Sequence, residues 1–442
     1  MVVRLATFVV TALVVAGCGQ SADAGPMRKG PYLQDLAPDA VTVMWQLSDP
    51  QPSTLTIEGV GSAAPRQLVV PAMTVAAIRV DGLAPHTHYR YRVEAAGESW
   101  PGELTTAPPV GDDAPFTFVV VGDSRDGASI HHKLMARAAL DGPDVMLGNG
   151  DIVDDGAREA DWQEFFASAA DMLRDVVYYP TLGNHERRGR TVAPAGYRDY
   201  FAVPGASPGA TPDYYTCSYG ATRFVMLDTT ATGAELDAET AWLDGELAAA
   251  RRDPAVHHIV VAMHHAMFSI GTHGGTASLR ARWTPLFERA GVTMVISGHD
   301  HAYERAEHGG VHYFVSGGGG APLYDRVDSP AAADAAAVVT FESAWHYLRV
   351  KIAGDRIEVT AVRPDGTVIE TTSWSDALEA RQRAAAVDRA AEQVRDAEAP
   401  APAVTEPVGG EDDDGGDRMW MWLLVAAAVP VLGAVALVYA RR

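Results

Sequence analysis

The sequence predicts an N-terminal β-sandwich followed by an α/β domain, with a transmembrane helix closing the chain. Three observations carry this expectation. Residues 27–108 hold short runs rich in Val, Thr and aromatic residues, separated by turns bearing Gly and Pro. From 116 to 374, continuous apolar runs ending in polar clusters alternate with helical stretches. The segment 419–440 is an apolar run long enough for a helix to cross a bilayer core. The length of 442 residues also exceeds one typical domain.

The chain opens on MVVRLATFVVTALVVAGCGQ, where one arginine precedes an apolar stretch too short for a comfortable membrane span. Residues 1–18 therefore read as an export signal. The end of this stretch, VAGC, resembles the bacterial lipobox, which would make Cys18 the lipidated first residue of the mature chain. A plain signal peptide with a chance cysteine is the alternative. Only Cys217 then remains, so no intramolecular disulfide is available and the fold rests on its core.

In the N-terminal part, AVTVMWQL, STLTIEGV, RQLVVPAM and HYRYRVEAA read as strands of a sandwich, and SDPQP, GSAAP and DGLAP as turns. GLAPHTHYRYRV and WPGELTTAPP resemble the ends of fibronectin type III-like domains, and TAPPVGDDAP reads as a linker. Beyond it, FTFVVVGD, VMLGNGD, VVYYPTLGNHE, TRFVMLD, HHIVVAMHH and VTMVISGHDH read as buried strands. IHHKLMARAALD, READWQEFFASAADMLRD, AETAWLDGELAAARRD and ASLRARWTPLFERAG read as helices. Ligands in such sheets sit beyond the carboxyl ends of the strands. AWHYLRVKIAGDRIEVTAV and DGTVIETTSW read as antiparallel strands that complete the domain.

Residues 375–396 are alanine-rich and read as a helix capped by Ser375 or Asp376. The Pro-, Gly- and acid-rich stretch 397–418 reads as a disordered linker. The transmembrane helix is expected at 419–440, with Trp420, Trp422 and Tyr439 at the interfaces and Arg441 and Arg442 on the cytoplasmic side. The formal net charge of −22 argues against a nucleic-acid-binding surface, which is basic.

Five of the six buried strands end in residues of types that bind metals. GD places Asp123, GNGD places Asp151, GNHE places Asn184 and His185, MHH places His264 and His265, and GHDH places His299 and His301. Carboxylate and amide oxygens mixed with imidazole suit Zn, Mn or Fe, and the lack of cysteine argues against a structural zinc site. A carboxylate between two histidine-rich half-sites can bridge two cations, and such a pair activates water and clamps a phosphoester. Taken singly, each motif is weak, since a GD is usually a turn and a histidine pair is usually structural. Five in order, all at strand ends, make a site.

The order GD, GD, GNH, MHH, GHxH resembles that of the calcineurin-like metallophosphoesterases. GHDHAYER and the sandwich in front look like the purple acid phosphatase branch, over residues 27–374. The resemblance implies a four-layer α/β/β/α domain over 116–374 holding two divalent or trivalent ions. It places Asp123 and His301 on one metal, Asn184, His264 and His299 on the other, and Asp151 as the bridge. His185 would contact the phosphate and protonate the leaving oxygen. His273, nine residues after His264, sits where the family often has another phosphate-facing histidine. The alternative for His273 is a mobile residue of the loop GTHGG.

Two positions depart from the family pattern. Where purple acid phosphatases carry an iron-ligating tyrosine, this sequence has Asp154, which either ligates or only hydrogen-bonds. The first motif is GDSR, so Arg125 replaces the glycine or histidine of relatives. Arg125 either clamps substrate oxygens in bidentate fashion or forms a salt bridge with Asp126 or Asp155. A purple Fe(III)–tyrosinate centre is therefore not expected. His86, His88, His131, His132, His257 and His258 read as structural, and the glycine run at 317–320 as a tight turn near the pocket and not a nucleotide loop.

The expected function is an exported, membrane-anchored phosphatase acting on phosphorylated small molecules. The resemblance implies attack by a metal-bound hydroxide on a phosphate monoester. A phosphodiesterase or nucleotidase is the alternative within the enzyme class, and a non-catalytic surface binding protein the alternative outside it.

Overall fold

The computed structural model describes residues 25–375, apart from 60–63, 188–193 and 207–211. The N-terminal strands are β1 (Met27–Gln34), β2 (Ala40–Gly59), β3 (Arg66–Asp81), β4 (His88–Ala95) and β5 (Glu98–Thr105). Two short strands expected from the sequence are fused into one long one, and a third is extended. AVTVMWQL and STLTIEGV run on as β2, and RQLVVPAM is the first half of β3. Hydrogen bonds join all five into one antiparallel sheet, with β2 pairing to β1 through its first half and to β4 through its second. The register shifts between Gln46 and Ser53, beside Pro50 and Pro52, so the expected turn there survives only as an irregularity.

The α/β part contains β6 (Phe116–Val121), α1 (Ala128–Ala139), β7 (Val145–Gly148), α2 (Glu159–Asp175), β8 (Val177–Pro180) and α3 (Ala195–Tyr200). It continues with β9 (Tyr215–Tyr219), β10 (Thr222–Met226), α4 (Ala234–Arg252), β11 (His258–Ala262), α5 (Ala277–Ala290) and β12 (Met294–Ser297). It closes with β13 (Tyr303–His308), β14 (Val311–Ser316), α6 (Ala332–Ala337), β15 (Val338–Glu342), β16 (Tyr347–Ala353), β17 (Arg356–Val362) and β18 (Val368–Ser375). One sheet has the order β18-β17-β16-β6-β7-β8, the other β15-β13-β14-β12-β11-β10-β9.

The alternation of side chains along a strand builds the layers. Phe224 and Met226 of β10 face the six-stranded sheet, where Phe224 meets Phe118 edge-on at 5.3 Å. Val225 and Leu227 face the other way, onto Leu243 and Leu247 of α4 and Trp283 and Phe287 of α5. Helix α2 covers the six-stranded sheet with Trp162, Phe165 and Phe166. The strands β6, β7 and β8 are mutually parallel, as are β10, β11, β12 and β14. Their carboxyl ends open toward one region between the sheets.

The N-terminal sheet is bonded to the α/β part. The Lys29 side chain is buried and pairs with Glu159 at the start of α2. Tyr32 Oη donates to Tyr200 O at 2.7 Å, and Tyr91 Oη to Arg174 O at 2.6 Å.

The expected fold class needs one correction. Among the described residues no helix is long and apolar enough to cross a membrane, so the architecture carries no membrane span in its described part. The proposed span 419–440, the linker 397–418 and the signal 1–18 lie outside the described residues, as does the helix expected after Ser375. Ser375 itself ends β18.

Candidate metal centre

Every strand-end motif converges on one cleft. Asp123 follows β6, Asp151 follows β7, Asn184 and His185 follow β8, His264 and His265 follow β11, and His299 and His301 follow β12. Three of these residues have left-handed backbones: Asp123 with φ 56°, Asp151 with φ 49° and His299 with φ 71°. Such conformations cost non-glycine residues about 1–3 kcal/mol each and persist only where the surroundings hold them. Here the loops hold one another. Asp123 N–H donates to Gly150 O at 3.0 Å, His299 N–H to the Asp123 carboxylate at 3.1 Å, and His185 N–H to Asp151 Oδ1 at 3.0 Å.

Four donor atoms form the tighter half of the site. His264 Nε2 lies 3.0 Å from Asn184 Oδ1, 3.2 Å from His299 Nδ1 and 3.3 Å from Asp151 Oδ1. His264 Nδ1 donates to Asn149 O at 3.0 Å, so its Nε2 is the atom aimed at the cleft. The other half pairs Asp123 Oδ1 with His301 Nε2 at 3.6 Å, and His301 Nδ1 donates to Pro322 O at 2.7 Å. His185 follows the same rule, with Nδ1 donating to Asp154 O at 2.7 Å and Nε2 lying 3.8 Å from Asp151 Oδ2. Imidazoles locked through one nitrogen, with the other beside carboxylate and amide oxygens, are a donor set that fits Zn, Mn or Fe.

The electrostatics agree with that donor chemistry. Burial would depress His264, but the Asp151 carboxylate outweighs it and raises the imidazole to about 10. Burial dominates at His299, which is lowered, and at His301, lowered to about 4, so both offer neutral nitrogen. Burial raises Asp123, whereas His264 and His185 overcome burial at Asp151 and lower it. The arrangement that holds a proton on His264 Nε2 can equally hold a cation.

Residues 116–303 match the family model for calcineurin-like phosphoesterases. That segment is similar to a calcineurin-like phosphoesterase domain. An uncharacterized protein of Mycobacterium tuberculosis is 31% identical over 162 residues, 33% of this chain and 31% of that protein. A purple acid phosphatase of Glycine max is 28% identical over 262 residues, 54% of each chain. The chain thus spans about half or less of the length of these relatives. The structure of purple acid phosphatase PPD1 from yellow lupin shares the fold, with a TM-score of 0.68 at 16% identity, over 78% of this chain and 74% of that one. The match supports a metal-dependent phosphoester hydrolase.

The remaining predicted residues of the phosphoesterase domain line the cleft without joining the tight donor group. The Asp154 carboxylate meets Arg158 at 2.8 Å, His185 Nδ1 at 3.4 Å and Arg125 at 3.6 Å. Arg125 contacts Asp126 at 3.1 Å and lies 3.7 Å from Asp151 Oδ2. The His273 ring lies tilted against that of His299, with centroids 4.1 Å apart, and its Nδ1 lies 3.2 Å from Asp300 Oδ1. His265 is held by Thr229 Oγ1 at 2.8 Å.

Several residues of the site were not assigned from sequence. Glu186, in GNHE, accepts backbone N–H groups from Asp151, Ile152, Val153 and Gly183 at 2.6 to 3.2 Å. Asn149, in GNGD, donates to Ser297 O at 2.5 Å and Ser316 O at 3.2 Å, tying the two sheets together behind the cleft. Tyr324 stacks flat on His301 at 4.0 Å. Glu186 and Asn149 stand inside the quoted motifs, so their signal was present; nothing in APLYD marks Tyr324. The glycine run packs against the first motif, where a Cβ on Gly319 would lie 2.1 Å from Gly122 O.

Proposed function

We propose that the chain is an exported phosphatase that hydrolyses phosphate monoesters at a dinuclear metal centre. The observation that carries this reading is the convergence of Asn184 Oδ1, His264 Nε2, His299 Nδ1 and Asp151 Oδ1, beside the buried pair Asp123 and His301. Asp123, Asp151 and His301 would hold one cation, and Asp151, Asn184, His264 and His299 the other. When bound, the pair would supply an activated water and positive charge against the phosphoryl oxygens.

The chain's own groups do the rest. His185 has its Nδ1 proton committed to Asp154 O, so Nε2 meets the leaving oxygen and delivers a proton to it. His273, oriented by Asp300, contacts the phosphoryl oxygens, and the acid phosphatase relatives make a monoester the first substrate class to test. The N-terminal sheet, read as fibronectin type III-like, supports α2 and through it the Asp154 loop.

The test is turnover of p-nitrophenyl phosphate against bis-p-nitrophenyl phosphate by the purified full chain loaded with Zn, Mn or Fe. Monoester turnover at least tenfold above diester turnover is expected; the reverse ratio would make the chain a phosphodiesterase. Export rests on the leader, with Cys18 as the lipidated residue and the catalytic domain outside the cytoplasm. An N-terminal peptide mass lacking lipid on Cys18 would refute the lipidation, and activity released only by cell lysis would refute the export.

A further inference from the structure

The two halves of the metal centre are unequal, and the inequality centres on Asp151. Its Oδ1 is turned to the tight half, 3.3 Å from His264 Nε2, and also accepts His185 N–H. Its Oδ2 is turned the other way, to Arg125 Nε at 3.7 Å. That Nε is buried and makes no hydrogen bond, although the rest of the guanidinium is anchored to Asp126 at 3.1 Å and approaches Asp154 at 3.6 Å. The tight half gathers one donor atom each from Asp151, His264 and His299 within 4.8 Å of one another, with Asn184 Oδ1 beside them, whereas the other half has, among the described residues, Asp123, His301 and the second oxygen of Asp151.

Given the metal reading above, on which this inference rests, we infer that Arg125 competes with the cation of the Asp123–His301 half-site for Asp151 Oδ2. The two cations then bind in order, the first tightly at the Asn184–His264–His299 half and the second loosely beside the guanidinium. Physical reasoning gives the direction. A divalent ion in the weaker half must displace or neighbour a fixed positive charge, with one donor fewer to offset it. Asp126 and Asp154 hold Arg125 in place, so the guanidinium cannot swing clear without losing both partners.

The experiment is calorimetric titration of the metal-free full chain with Mn²⁺, with metal analysis of the product. The expected result is two steps, the second at least about tenfold weaker, with His264→Ala abolishing the first. Arg125→Gln should tighten the second step by about tenfold or more and leave the first unchanged, whereas Arg125→Lys, which keeps the charge, should stay near the native value. Two equivalents binding with equal affinity in the native chain would overturn the inference, and so would an unchanged second step in a folded Arg125→Gln. Failure of the native chain to bind any Mn²⁺ or Zn²⁺ would instead refute the metal centre itself, and the inference with it.

Discussion

Glu186 Oε2 accepts the backbone N–H of Asp151 at 3.1 Å, so the loop after β8 fixes the loop after β7. The same carboxylate takes three further backbone N–H groups, and Glu186 is buried. Asp151 therefore keeps its left-handed backbone because a neighbouring motif supplies the acceptors its loop lacks. Glu186→Ala would leave four buried donors without a partner, at about 1–3 kcal/mol for each that water cannot reach. Denaturant unfolding of the metal-free variant should show a loss of at least about 2 kcal/mol, with lowered metal content after reloading. Native stability in that variant would remove Glu186 from the account.

Asp151 and His185 should separate by phenotype. Asp151→Ala removes the shared carboxylate and should lose both metals with all activity. His185→Ala should keep both metals while kcat falls by about 10²–10⁴-fold. Metal analysis of the two variants decides the assignment, and metal loss on changing His185 would make it a ligand.

Asp154 is committed to Arg158, with His185 and Arg125 alongside. Asp154→Asn should therefore leave metal content unchanged. Tyr303 Oη donates to Glu370 at 2.7 Å, which keeps it from the cleft. The iron-loaded protein should lack a strong visible charge-transfer band, and a purple sample would show that a tyrosine reaches the metal.

Acid should weaken the fold through two buried histidines away from the donor set. Burial lowers His131, bonded to Ser168 Oγ at 2.7 Å, to about 3, and lowers His346, bonded to Ala344 O, to about 4. Below the ordinary value of about 6.5 the unfolded chain takes up protons that the folded chain refuses. Each group then costs about 1.4 kcal/mol of stability per pH unit as pH falls toward its folded value. His131→Gln should flatten the fall in unfolding free energy between pH 6 and 4 by about that slope. An unchanged slope would show that His131 is protonated in the fold.

The sequence made the site legible because parallel buried strands end where their apolar runs end, and the candidate ligands stand at those ends. FTFVVVGD and VTMVISGHDH announce both the strand and its last functional residue. What stayed hidden depends on contacts between distant segments. Glu186 sits in a quoted motif, but its role is to accept N–H groups from a loop more than 30 residues away. Tyr324 lies in an unremarkable loop and gains meaning only by stacking on His301. The fusion of AVTVMWQL with STLTIEGV escaped because two prolines usually end a strand, whereas here pairing to β3 resumes beyond them.

The central claim is that this donor set makes a metal-dependent phosphatase. The most direct measurement is p-nitrophenyl phosphate turnover by the full chain, stripped with a chelator and then reloaded, with metal counted in each state. The account predicts no turnover when stripped, and turnover restored as metal content returns to two per chain. Full activity in the stripped protein, or no phosphoester turnover by a folded chain holding two metals, would contradict it.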